Sequence, residues 1–596
     1  MLSIILKLSF MKSFVLSFIL LFSLTFSFSQ NKEMNDQWGL QDKTATLANS
    51  ERGKQFIDGN YAMFVHWGLY SQLGCKWKDQ SYYGISEWIQ TKLKIKPQDM
   101  MDYAKQFNPV NFSAAKLVSL AKNAGMKYIV ITAKHHDGFA MYHSKVSDFN
   151  IVDASPYGRD PLKEVASECA KQGVGLGFYY SHNFDWTAPG GTMGPKTNAA
   201  GDTITFDQYF YSKCLPQVKE ITSEYGPLAL IWFDCPGSIS KKHTQELVDV
   251  VRKNQPNAFI NGRIGNDMGD YKGGGDMEVP QKRIEGLSES CDVTNDSWGW
   301  AFYDENWKTP KLILTNVLSI VARGGNYLMN VPPGPDGTVP ERAEKILLSA
   351  GKWIQKYPQV VYGAEASPWP QKFSWGDVVR KGNKLYLLVY EWNTNGELWL
   401  PGLKSEIKSL KLLNAKNSKL KYEVRSNAVV INIPPVAPEK FVSVIEMELK
   451  NEVSVDESPT IDPYLPTSYS AYFAEAENCL LKKKQWMEKF GEWKSIMQVE
   501  KWTKDSKATW TFDVLKPGDY LVDLQYAGEG RLAWKIDTSD GESIQNQQNS
   551  SSVYATLPFG WVTFKTAGKK KLTVSLLEGK FEKESLQGIK LTPIEE

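Results

Sequence analysis

Polar side chains recur at the trailing ends of short apolar runs. His66 follows 61–65, and His135 and His136 follow the run that starts at Met126. Tyr180 closes 173–180, Asp234 closes 228–234, and Arg263 lies just beyond 258–260. Asp234 is the most sharply marked of them. The apolar residues Leu228 to Phe233 precede it, and Cys235-Pro236-Gly237 cannot continue a sheet. A carboxylate at the mouth of a buried strand is costly unless it has a partner or a task. Taken singly, an Asp there can cap the next helix, and a buried His is commonly a hydrogen-bonded core residue. Their repeated placement favours a shared pocket, rich in neutral donors and acceptors, with a carboxylate and a guanidinium. No glycine-rich phosphate loop opens a helix, and no GxSxG nucleophile elbow is present. Neighbouring residues leave an extended chain in opposite directions, so His135-His136-Asp137 chelates one ion poorly. HExxH spacing is also absent, so a metal is not expected there.

The elements that would position these groups alternate. Helical periodicity over 113–124, 162–171, 208–224 and 244–253 falls between the apolar runs, which is the pattern of a parallel (β/α) barrel of TIM type. In such a barrel the C-terminal strand ends form the active face. A glycine-rich stretch, 266–287, interrupts the alternation. It carries Asp276, Glu278 and Glu285, with Glu289 just after it, and loops of that length are usually functional. A helix over 311–322, an apolar run ending at Val331 and a helix over 342–356 complete the barrel, expected over 31–358. Beyond it, short alternating runs separated by polar turns predict a β-sandwich over 359–450. A polar, proline-containing linker is expected at 451–468, and a second sandwich at 469–596.

A chain of 596 residues is too long for one core. A formal charge of +2 with dispersed Lys and Arg gives no nucleic-acid signature. Lys12 followed by the apolar run 14–26 and small polar residues predicts a signal peptide over 1–30, hence an exported protein without a membrane span. Six scattered cysteines without CxxC spacing argue against a zinc site or a disulfide scaffold.

Ordered motifs sharpen this. Phe64-Val65-His66-Trp67-Gly68, Ser86-Glu87-Trp88, Lys134-His135-His136-Asp137-Gly138-Phe139, Tyr179-Tyr180-Ser181, Trp232-Phe233-Asp234, Asn295-Asp296-Ser297-Trp298-Gly299 and Gly324-Gly325-Asn326 together resemble the retaining α-L-fucosidases of glycoside hydrolase family 29. The resemblance implies Asp234 as nucleophile and no cofactor. It implies His66, His135, His136, Tyr180 and Arg263 on the sugar oxygens, Trp67 and Trp298 against its apolar edge and methyl group, and Trp232 also among the substrate-binding residues. The general acid would come from the irregular segment: Glu289 is expected, with Glu278 and Asp276 as alternatives. The substrate would be a fucosylated oligosaccharide or polysaccharide. The rival expectation is a catalytically silent fucose-binding protein. Phe473-Ala474-Glu475-Ala476-Glu477-Asn478 resembles the opening of jelly-roll carbohydrate-binding modules, which implies glycan binding through Trp493, Trp502, Trp534 or Trp561; the same tryptophans equally suit a purely structural sandwich.

Overall fold

The computed structural model describes residues 47–415, 418–487 and 489–594; the expected signal peptide lies outside them. Eight parallel strands follow one another around a curled sheet: β1 (Tyr61–Val65), β2 (Tyr128–Lys134), β3 (Gly175–Ser181), β4 (Leu230–Asp234), β5 (Phe259–Ile260), β6 (Lys272–Gly273), β7 (Ser288–Val293) and β8 (Gly325–Val331). β8 pairs with β1, and the remaining gap, between β5 and β6, is spanned by a parallel bridge from Asn261 to Tyr271. The sheet therefore closes into a TIM-like barrel.

Strands buried on both faces need helices outside them. The outer layer consists chiefly of α1 (Ala114–Asn123), α2 (Pro161–Gln172), α3 (Leu215–Ser223), α4 (Lys241–Asn254), α5 (Pro310–Ala322) and α6 (Glu341–Lys356). Local sequence sets their starts. Ser113, Asp160, Ser240 and Thr309 accept hydrogen bonds from the backbone N–H groups of Lys116, Lys163, His243 and Leu312, each cap worth about 1 kcal/mol. The expected helix over 208–224 is present as one continuous helix from Phe206 to Ser223, of which α3 is the last part. Its middle, Phe210–Cys214, widens into a π turn in which Leu215 N donates to Phe210 O, just ahead of Pro216, which supplies no N–H.

The helix alternation lapses after β5. The two-residue strands β5 and β6 are joined by a short 3-10 turn, Gly262–Ile264, and β6 leads to β7 through irregular chain. Ser288–Val293, which directly follows the glycine-rich stretch and to which no element was assigned from sequence, is a fully buried strand.

Beyond α6, a four-stranded and a three-stranded antiparallel sheet form the first sandwich, between Gly376 and Leu449. Two six-stranded sheets form the second. The expected linker is pinned rather than free. Val455 bridges to Leu403 of the first sandwich, and Thr460–Ile461 pairs with Asp513 and Val514 of the second. Polar composition marked this stretch as a connection but could not reveal backbone pairing to distant strands.

Candidate active site

The strand ends converge on a cavity of about 260 Å³. His66, His135, His136, Trp232, Asp234, Arg263, Asp276 and Trp298 all line it. It lies at the C-terminal ends of the strands, where loops can vary without disturbing the barrel.

Asp234 ends β4 with two partners. Arg263 Nη1 donates to its Oδ1 at 3.1 Å, and Tyr179 OH donates to its Oδ2 at 3.0 Å. Burial opposes its ionisation, but the Arg263 charge, His136 and the hydrogen bonds outweigh it, and the carboxyl lies below its ordinary range. Arg263 is itself fixed by local structure. Asn261 mimics a strand residue, exchanging two 2.8 Å side-chain hydrogen bonds with the Phe233 backbone. The turn that follows carries the guanidinium back over the Trp232 ring, 4.8 Å from its centroid.

Three imidazoles form a neutral wall. Asn330 Oδ1 lies 2.8 Å from His66 Nδ1 and must accept its proton, which leaves Nε2 as an acceptor. Ser181 Oγ donates to the Phe184 carbonyl, so it accepts from His136 Nδ1 at 2.6 Å, and His136 Nε2 is likewise an acceptor. Burial lowers His66 to about 4 and His136 to about 3, and drives His135 down as well. His135 Nδ1 has no partner among the described residues. His135 and His136 both face the cavity because β2 ends at Lys134, beyond which strict alternation no longer applies. The atoms of His136, Asp234 and Cys235 lie within 4.8 Å of one another. Burial keeps Cys235 a thiol, and Arg263 already neutralises Asp234, so the cluster suits a cation poorly.

Several expected positions are corrected. Trp67 points outward and stacks on Phe112 at 4.5 Å. Tyr180 donates to Gln217 of α3 at 2.8 Å, outside the barrel. The preceding residue, Tyr179, faces inward because its register partner is Trp232, so Tyr179 supplies the phenol on Asp234. Glu289 sits early in β7. Cys291, two residues on and on the same face, reaches the cavity, which leaves Glu289 one layer, ~7 Å, beneath it. There it accepts hydrogen bonds from Tyr128, Trp232 and Tyr271, and burial raises it to about 7. Glu278 also lies away from the cavity: its Oε2 accepts from Gly275 N at 3.2 Å and Ser495 N at 2.9 Å.

Asp276 is the loop carboxylate that lines the cavity. Arg263 Nη2 donates to its Oδ1, so one guanidinium holds Asp234 and Asp276 on its two amino groups. Burial raises Asp276 against the pull of Arg263, and the nearby Asp234 charge adds to the rise. Glu87, within the Ser86-Glu87-Trp88 motif, also lines the cavity and burial lifts it to about 8, but it accepts from Gly299 N at 3.0 Å and is 2% exposed. Asp276 is 23% exposed, which gives it the route to solvent that proton exchange requires. Cys235 adopts a left-handed backbone (φ 48°), a conformation that costs a non-glycine residue ~1–3 kcal/mol.

The four C-terminal tryptophans separate. Trp502 and Trp534 are core, 5.1 Å apart edge to face; Trp561 is 63% exposed; Trp493 lines the barrel's cavity.

The chain and its fold have counterparts among known proteins. The Dictyostelium discoideum α-L-fucosidase is 26% identical over 425 residues, 65% of this chain and 89% of that protein. The crystal structure of the α-L-fucosidase from Vibrio sp. strain EJY3 superposes with a TM-score of 0.73 at 28% identity, covering 91% of this chain and 98% of that one. α-L-Fucosidase isoenzyme 1 from Paenibacillus thiaminolyticus superposes with a TM-score of 0.61 at 30% identity, covering 67% and 99%. The α-L-fucosidase family model matches residues 27–359, more than half of the sequence and all eight barrel strands, and the chain belongs to that family.

Proposed function

We propose that this α-L-fucosidase removes terminal α-L-fucose by a two-step, retaining displacement, with Asp234 as nucleophile and Asp276 as general acid and base. Attack of the ionised Asp234 oxygen on the anomeric carbon forms the ester bond and breaks the glycosidic bond. The Asp276 proton passes to the leaving oxygen. Water, deprotonated by Asp276, then attacks the same carbon, releasing fucose and regenerating both carboxyls. A retaining enzyme keeps its two carboxyls ~5–5.5 Å apart. The observation that carries the assignment is that Arg263 holds both carboxylates, one on each terminal amino group.

The acceptor nitrogens of His66 and His136 suit sugar hydroxyls, and Trp232 and Trp298 suit the apolar edge of the ring. A silent fucose binder would need no second carboxyl beside Asp234, so Asp276 favours turnover over capture. Proton NMR during hydrolysis tests the mechanism. α-L-Fucose should form first and then mutarotate; β-L-fucose as the first product would exclude the double displacement.

Export is inferred from the apolar run 14–26; secretion of an unprocessed chain would contradict cleavage there. Glycan binding by the second sandwich is supported by the exposed Trp561 beside Leu521 on a paired strand. Retention on immobilised fucan that Trp561→Ala abolishes would bear it out.

A further inference from the structure

The cavity is not built by the barrel alone. The second sandwich contains a hairpin, Leu480–Trp486 and Lys494–Glu500, whose connecting loop crosses to the barrel mouth. Met487, Phe490, Gly491 and Trp493 from that loop line the same cavity as Asp234.

Direct bonds secure the crossing. Trp493 N donates to Asp276 O at 3.1 Å as part of an antiparallel bridge between the two residues. Glu278, two residues along, clips its own segment to the hairpin through Ser495 N at 2.9 Å. Trp298 Nε1 donates to Gly491 O at 3.3 Å, and the Phe490 ring meets Trp88 edge to face at 5.9 Å. Gly491 has φ 103°, and a Cβ there would lie 2.5 Å from Ile85 Cγ2, so only glycine allows the loop to approach so closely.

A general acid must stand at the glycosidic oxygen, the atom that joins fucose to its leaving group. The surface adjoining the acid on the side away from the fucose pocket therefore faces the leaving group. Trp493, bridged to Asp276 through the backbone, and Phe490 bring aromatic surface from the other domain into the cavity beside the acid. That aromatic surface also holds a buried donor, Trp493 Nε1, without a partner among the described residues.

We propose that the second sandwich completes the active site by forming a leaving-group subsite, in which Trp493 and Phe490 receive the apolar face of a pyranose ring and Trp493 Nε1 donates to one of its oxygens. This rests on Asp276 acting as the acid. The C-terminal domain then sets leaving-group preference directly rather than only tethering the enzyme to polymer.

The test compares two substrates with the full chain. α-L-Fucosyl fluoride carries no leaving-group ring; a fucosyl-N-acetylglucosamine disaccharide does. For Trp493→Ala, kcat/KM on the disaccharide should fall about tenfold or more, chiefly through KM, while the value on the fluoride falls less than threefold. Phe490→Ala should show the same split, and Trp493→Phe should recover part of the disaccharide rate. Parallel losses on both substrates, or an unaffected disaccharide rate, would overturn the subsite. If Trp493→Ala does not fold, Phe490→Ala and Trp493→Phe decide by the same split. Wild-type enzyme that releases fucose from neither substrate would instead contradict the hydrolase assignment itself.

Discussion

The two walls of the cavity are built on different principles. The wall that would hold fucose comes from strand ends, and its polar groups are braced by other side chains: His66 by Asn330, His136 by Ser181, Asp234 by Arg263 and Tyr179. The wall that carries Asp276 comes from irregular chain after β6. Arg263 holds the Asp276 carboxyl, but the chain itself is held by bonds to another domain, the Asp276–Trp493 backbone bridge and the Ser495 N–H on Glu278. Strand-borne groups inherit the barrel's precision, which suits a fixed sugar whose reacting carbon must meet Asp234. Loop-borne groups can change without disturbing the barrel, which suits a leaving group that differs between substrates.

Substitutions should separate the two walls. The largest effect is expected at Asp234: Asp234→Ala should lower kcat by about ten-thousandfold or more on every fucoside while the melting temperature stays within a few degrees. Comparable residual activity on an aryl fucoside would remove Asp234 from the chemistry. Asp276→Ala should cost ~10²–10⁴ in kcat/KM on a fucosyl disaccharide, the range of general acid catalysis. The loss on an aryl fucoside should be smaller, because that leaving group departs without a proton.

The pH profile sharpens the same contrast. Activity needs Asp234 ionised and Asp276 protonated. The profile should therefore fall in acid, where Asp234, held low by Arg263, takes up its proton, and fall again towards base, where the raised Asp276 loses its own. Asp276→Ala should abolish the basic limb and leave the acid limb. A basic limb unchanged in that variant would point to Glu87, the other raised carboxyl on the cavity.

The smallest catalytic effect is expected at Glu289. Its substitution by Ala strands three buried donors, so stability should fall on the order of 2 kcal/mol while kcat/KM stays within tenfold of wild type. Folding raises its pKa from 4.5 to about 7, so the folded state keeps a proton that the unfolded chain has released. Stability contributed by that group is therefore lost as pH rises through this window, and Glu289→Gln should remove that part of the slope in urea titrations.

Much of the strand-built wall was legible in the sequence. Unbroken apolar runs that stop on His66, His135 or Asp234 announce both the strand and its polar end, and helical periodicity places the helices between them. Tyr180 was mistaken for Tyr179 because two adjacent tyrosines carry no label of phase; only the register of β3 against β4 decides which one turns inward. Trp67 failed for the same reason, one residue past a correctly placed histidine. Glu289 was misplaced because Ser288–Val293 is short and polar, and its strand character comes from pairing with β8, far away in sequence. The loop wall was the least legible. Trp493 was noticed as an aromatic of the last domain, but some two hundred residues separate it from Asp276, and no local pattern reports a contact at that distance.

The central claim, that Asp234 and Asp276 are the reacting pair, is tested most directly by the products that Asp234→Gly and Asp276→Ala form from an aryl fucoside in azide. With Asp234 absent, azide should attack the anomeric carbon directly and give β-L-fucosyl azide. With Asp276 absent, azide should attack the fucosyl–Asp234 ester and give α-L-fucosyl azide, with the rate restored. An Asp276→Ala enzyme that azide does not rescue, or that yields the β anomer, would contradict the assignment.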